Sequence, residues 1–327
     1  MRRRDFFSLV ASAAIVAPLP ARAQSASKTY RVGTLTAGLP LDEKSPGGAT
    51  LLKVLEQRGY VLGKNLVLEP RGAAGQLGKL GDIIREMKAN QVDAFVTSGF
   101  PVTLACKVAN VPTVVYVGAG DPIATHLIDS LTRPGGNLTG ISDNATTLSS
   151  KRLDLIRKAV PNVRRVAMLW NRDDLGMSMR YQSSADAAKS IGVTVQPLGV
   201  REPDDFNGVF EAMDRDRPDA IFMVADSLTL LNRKRVFDYA GAHQIPALYE
   251  YDPFVRDGGL MSYGADLKES MERAGELVAK ILAGARPAEL PFEEPTRYPL
   301  VVNLKTAKAT SIDLPPNFVA LADEVIE

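Results

Sequence analysis

Short apolar runs rich in β-branched residues alternate with longer stretches of helical period, a βαβα rhythm. Strands are predicted at YRVGTL (30–35), NLVLEP (65–70), DAFVTS (93–98), PTVVYV (112–117) and LTGIS (138–142), then at RRVAMLW (164–170), VTVQPLG (193–199), DAIFMVAD (219–226), PALYEY (246–251) and LMSYG (260–264). Runs apolar on both faces suit parallel strands covered by helices on either side. Between them, ATLLKVLEQRG sets Leu51, Leu52 and Leu55 on one helix face and stops at Gly59, the residue type best suited to a left-handed helix end. VTLACKVAN, DPIATHLIDSL, KRLDLIRKAVP and LKESMERAGELVAKILAGA read as further helices.

The second half repeats the first. VDAFV followed by NVPTVVY is answered by PDAIFMV followed by QIPALY, with Pro112 and Pro246 opening the later strand of each pair, where proline costs no ladder hydrogen bond. EQRG-YVLGKNLVLEP is likewise answered by AAKSIG-VTVQPLG. The fold class is therefore α/β, with two similar lobes, each built on a parallel sheet, and a cleft between them. Ligands of such sheets bind beyond the carboxyl ends of the strands. The chain departs from the repeat near 141–145 and 264–266, and YPLVVNL near the end suggests a third crossing. This division assigns 28–142 with 265–294 to the first lobe and 143–264 with 295–327 to the second.

The chain has 327 residues, 45% of them hydrophobic, enough for two ordinary cores. Its 39 basic and 38 acidic residues give a formal charge of +1, too little for a field that holds nucleic acid or an anionic membrane. Residues 1–23 combine a basic start, an apolar stretch too short to span a bilayer and the ending Ala21-Arg22-Ala23, the pattern of an export signal cleaved after Ala23. Arg3-Arg4-Asp5-Phe6-Phe7 resembles a twin-arginine signal, while Ser8 in place of the usual lysine leaves the general secretory route open. The single cysteine, Cys106, cannot form an internal disulfide, and none stands at the cleavage point to take a lipid. The expected product is a soluble periplasmic protein, with Cys106 a small buried side chain.

VVYVGAGDP (114–122) has the look of a phosphate loop, but Ile123 stands where a dinucleotide fingerprint needs its third glycine, and no Walker lysine follows. Asp121-Pro122 fits a helix cap and first helical position instead. A glycine turn at a strand's carboxyl end also offers backbone N–H groups to a carboxylate, and Ser98-Gly99 ends the neighbouring strand in the same way. In the facing lobe Asp226 can accept an ammonium, with Glu250 a second candidate. His126 and His243 lack acids or cysteines at metal-ligand spacing, no nucleophile elbow is present, and no cofactor is called for. Convergence of Asp121, Asp143 and Asp226 keeps an exported hydrolase open. Trp170, at a strand end, fits either core or cleft wall, and Tyr263 either hinge packing or ligand wall.

GDP (120–122), RPGGNLTG (133–140), GGLMSYG (258–264), NLKTAKA (303–309) and ADEVIE (322–327), in that order, resemble the ABC-transporter substrate-binding proteins of tryptophan and tyrosine uptake. The likeness runs from the signal to the last residue. It implies a type I periplasmic binding fold, two Rossmann-like lobes joined by three hinge crossings, that closes on a small solute and delivers it to a membrane permease with its ATPase. A monomer is expected, and an exported ligand-sensing module for a membrane kinase is the alternative. Carried over by position, the ligand contacts are Thr34, Thr36, Ser98, Gly99, Gly120, Asp121 and Asn144 on the first side, and Asn171, Asp226 and Tyr263 on the second. Arg172-Asp173-Asp174 departs from the family's Asn-Pro turn, and Gly38 to Gly48 is unusually rich in glycine and proline.

Overall fold

The computed structural model describes residues 28–327; the export signal expected over residues 1–23 lies outside the described residues. Ten of the strands fall where the apolar runs predict them. β1 (Tyr30–Thr36), β2 (Leu66–Gly72), β3 (Ala94–Ser98), β4 (Thr113–Val117) and β5 (Leu138–Gly140) form one wholly parallel sheet of order β2-β1-β3-β4-β5. β6 (Arg165–Asn171), β7 (Thr194–Val200), β8 (Ala220–Met223), β9 (Ala247–Tyr249), β10 (Met261–Tyr263), β11 (Leu300–Asn303) and β12 (Glu324–Ile326) form the second, of order β12-β11-β10-β9-β8-β6-β7. Its run β7-β6-β8-β9-β10 repeats the first sheet's order, and the antiparallel β11 and the short β12 extend it.

The duplication reaches single hydrogen bonds. The Asp93 carboxylate accepts the Arg31 N–H at 2.8 Å, and Asp219 accepts the Arg165 N–H at 2.9 Å. The Pro112 carbonyl accepts from Phe95 N, as the Pro246 carbonyl does from Ile221 N. Pro70 and Pro197 lie in β2 and β7, both edge strands, where a missing N–H breaks no interior ladder.

The helix Leu267–Leu282 returns to the first sheet although it follows β10 in sequence. Met271, Ala274, Leu277 and Val278 are buried with Val32, Leu51, Leu55, Val96 and Val114 in one core. Gly275 permits this close approach, since a β-carbon there would stand 3.0 Å from the Val54 side chain. The chain thus passes between the sheets three times. The first and third passages run side by side, Ser142 N donating to the Glu293 carbonyl at 2.7 Å, and Asp266 N of the second donates to Arg297 O of the third at 3.0 Å. YPLVVNL is mostly β11, with the third passage just before it.

One predicted helix is absent. Residues 121–126 form a run of tight turns: the Asp121 carboxylate accepts the N–H groups of Ile123 and Ala124, both at 3.0 Å, and His126 has the left-handed φ of +57°. A left-handed residue after a single turn ends helical propagation. The cap is present; the helix beyond it is not. Cys106 is fully buried in the helix Phe100–Val108, and burial pushes its thiol up to about 12, far from reactive thiolate.

Candidate functional site

A cavity of about 450 Å³ lies between the sheets, within the range of small-molecule sites. Segments following β1, β2, β3 and β4 line one side, and segments following β6, β7, β8 and β9 line the other. Every wall is therefore a carboxyl end of a strand, including the switch points between β1 and β3 and between β6 and β8, where diverging connections open a crevice. The two rims touch outside it: a β-carbon on Gly120 would stand 2.8 Å from Gly176 Cα, so only glycine lets the backbones approach there.

The first-lobe wall is mainly apolar and backbone, with Ala37, Leu77, Pro101, Tyr116 and Val117 beside Ser98 and Gly99. Two of its backbone donors are already engaged: Gly99 N–H donates to the Val117 carbonyl at 3.0 Å, and Gly118 N–H to Asp143 Oδ2 at 2.9 Å. The second-lobe wall carries the charge. Asp226 caps the short helix Ser227–Leu231 in a capping box: Oδ1 accepts Thr229 N at 2.8 Å, and Oδ2 accepts Asn171 Nδ2 at 2.6 Å. Burial raises its carboxyl above the ordinary value, against the pull of these donors. Asp174, 3% exposed, caps the helix Leu175–Ser190, and burial together with Asp226 pushes its carboxyl up to about 7. Tyr251, Phe254, Met177 and Leu228 complete the wall.

Behind it lies a buried ion network. Arg180 Nη2 contacts Asp143 Oδ2 at 2.5 Å and Arg180 Nη1 contacts Glu250 Oε2 at 2.8 Å, while Arg152 Nη1 lies 3.0 Å from Glu250 Oε1. All four side chains are essentially inaccessible, and the two positive and two negative charges cancel. Burial pushes the Asp143 carboxyl up, but Arg180, the Tyr251 hydroxyl (2.7 Å) and two backbone N–H groups outweigh it and hold it below the usual carboxylate range. Asp143 lies in the first passage and joins Gly118 of one lobe to Arg180 and Tyr251 of the other.

A cleft of this size and construction suits a small molecule, and comparison with known proteins gives the family. Residues 41–326 match the family model described as ABC transporter substrate binding protein. The chain belongs to that family. A tyrosine-binding protein of Clostridioides difficile (strain R20291) is 23% identical over 284 residues, covering 86% of this chain and 80% of the relative. Among solved structures, a conserved domain protein from Vibrio cholerae superposes with a TM-score of 0.83 at 24% identity, covering 91% of this chain and all of that one. The ABC domain in complex with L-Trp from Streptococcus pneumonia superposes with 0.81 at 23% identity and the same coverage. The fold is thus that of the type I periplasmic binding proteins, and membership of the ABC family implies a small-molecule ligand with permease and ATPase partners. Among the described residues, no helix is long and apolar enough to cross a membrane.

Of the residues that sequence singles out for this family's ligand, Ser98, Gly99, Asn171 and Asp226 line the cavity. Thr34 and Thr36 sit one layer below, their hydroxyls donating to the carbonyls of Leu41 (2.8 Å) and Leu39 (2.6 Å) and so pinning the glycine- and proline-rich segment that begins at Gly38. Gly120 and Asp121 form the rim contact and its cap. Asn144 donates to the Tyr298 hydroxyl at 2.7 Å between two passages, and the Tyr263 carbonyl accepts from Arg152 Nε at 2.8 Å. None of these six lines the cavity. Glu250 belongs to the ion network, and Trp170 stacks on Tyr181 at 3.8 Å within the second core. The aromatic wall comes instead from Tyr116, Tyr251 and Phe254, each at or just beyond a strand end. Asp174 is not among the residues that sequence singles out for the ligand, although Arg172-Asp173-Asp174 reads as a cleft-side departure from the family's Asn-Pro turn; the structure puts Asp174 in the wall.

Proposed function

We propose that this chain is the exported receptor of an ABC importer, closing on a small solute with an ammonium group and an apolar or aromatic body. The amino acids named for its relatives are members of that class. The observation that carries this reading is the cleft itself: acids stand on one wall, aromatic and aliphatic side chains surround them, and both lobes contribute. A solute touching both walls stabilises the closed arrangement over an open one, which supplies the differential affinity that hinge closure requires. The lobes assigned are 28–142 with 265–294 and 143–264 with 295–327, the protein acts as a monomer in the periplasm, and the solute leaves unchanged.

A thermal-shift screen against amino acids and small amines tests this. A solute at about 100 times its dissociation constant adds about 2.7 kcal/mol of stability and raises the melting temperature by several degrees. The reading is overturned if no member of the panel raises it, or if a bound solute is recovered chemically altered.

A further inference from the structure

The buried part of the cavity wall carries charge of one sign only. Asp174 and Asp226 both line it, one at the carboxyl end of β6 and the other beyond β8. Asp174 Oδ1 accepts the Met177 N–H at 3.2 Å and the Gly176 N–H also favours the carboxylate, while Oδ2 has no hydrogen bond of its own among the described residues, although the side chain is almost wholly buried. The charged groups around it do not neutralise the pair. Arg180, farther along the same helix, is held by Asp143 and Glu250, with the Tyr251 hydroxyl beside them. At the mouth Arg201 is over half exposed and donates to Asp173 at 3.0 Å, next to the acidic Glu202. Among the described residues the only cation lining this wall is Arg201 at the mouth, and a buried unpaired carboxylate is costly.

We propose that Asp174 and Asp226 together form the subsite for the protonated amine of the solute, with Asp174 Oδ2 as its open acceptor. This rests on the solute class proposed above and adds a residue, a ranking and a proton. With the Gly99 and Gly118 donors already engaged, the two acids make the amine the leading recognised group. Before binding, Asp174 is largely protonated below neutrality, because burial and the Asp226 charge raise it to about 7. An entering ammonium supplies the missing positive charge, so the Asp174 O–H bond breaks and its proton goes to solvent, leaving the carboxylate paired with the ammonium. Binding therefore strengthens with pH by up to about tenfold per unit below neutrality and levels off above it.

Calorimetry of the protein with three probes sharing one ring tests this: tryptamine, L-tryptophan and 3-indolepropionate. Titrations in two buffers of different ionisation enthalpy count protons. At about pH 6 the two amines bind and release close to one proton, at about pH 8.5 they release almost none, and the deaminated acid fails to bind. Asp174→Asn keeps the helix cap, since asparagine caps as well as aspartate, but binds the amines about tenfold more weakly and releases no proton. Amines that bind wild type and Asp174→Asn equally, or bind at pH 6 without proton release, overturn this subsite and leave the solute class standing. Indolepropionate binding as tightly as tryptamine, or no heat from either amine, overturns both.

Discussion

Asp121 and Asp226 each cap a turn at the carboxyl end of a strand, but only Asp226 also lines the cavity. Replacing Asp121 with alanine removes two backbone acceptor contacts and costs about 1 kcal/mol of stability, the ordinary loss of a cap. Replacing Asp226 with alanine removes the same kind of cap together with a carboxylate of the cavity wall. Calorimetry with an α-amino acid that binds the wild type is expected to show at least a tenfold greater loss of affinity for Asp226→Ala than for Asp121→Ala. Equal losses contradict this division between cap and ligand contact. Asp226 was legible because it ends an unmistakable strand, DAIFMVAD. Asp174 was not, since its burial comes from Gly120 and the facing lobe closing over a turn that looks exposed in sequence.

Among the elements, strand positions were readable because the interior runs are apolar on both faces, while the edge strands β2 and β7 are only partly buried, and the repeated strand order follows from the repeated pairs VDAFV/PDAIFMV and NVPTVVY/QIPALY. DPIATHLIDSL misled because its helical period is real while His126 turns left-handed. The ion network was invisible for a different reason. Asp143, Arg152, Arg180 and Glu250 lie on different segments and nothing in the sequence pairs them: Glu250 reads as an ammonium acceptor and Asp143 as a cleft carboxylate until the helices Ser149–Ala159 and Leu175–Ser190 pack together under the second sheet. Arg180→Met strands the Asp143 carboxylate in a buried site, leaves Glu250 with Arg152 as its one cation, and is expected to lower stability by about 3–5 kcal/mol, read as a fall in the denaturant midpoint. Neutralising both acids in the same chain, with Asp143→Asn and Glu250→Gln, recovers part of that loss. A loss below about 1 kcal/mol for Arg180→Met is the contrary result.

For the molecule as a whole, the two buried acids pull stability in opposite directions with pH. Asp143 is held below the usual carboxylate range, so its contribution is present at neutral pH and disappears as the pH falls below the ordinary carboxylate value. Asp174 is raised from 3.8 to about 7, so its folded state holds a proton more tightly than the unfolded chain does. The stability due to that proton is full below about 4 and is lost as the pH rises through about 7. In scanning calorimetry without solute, wild type is therefore expected to lose ground against Asp174→Asn over this window, and a bound amine to narrow the gap. A constant difference between the two proteins across the window contradicts the assignment.

Threading also governs the order in which this molecule can be made. The strands of the first sheet end at Gly140, yet the helix that seals one of their faces begins only at Leu267. A nascent chain leaves the ribosome from its amino end, so those strands wait, one greasy side covered only in part by Leu51 and Leu55, until most of the polypeptide has emerged. The first half therefore cannot complete its core as an independent parcel during synthesis, because part of that core is encoded beyond the second half's strands.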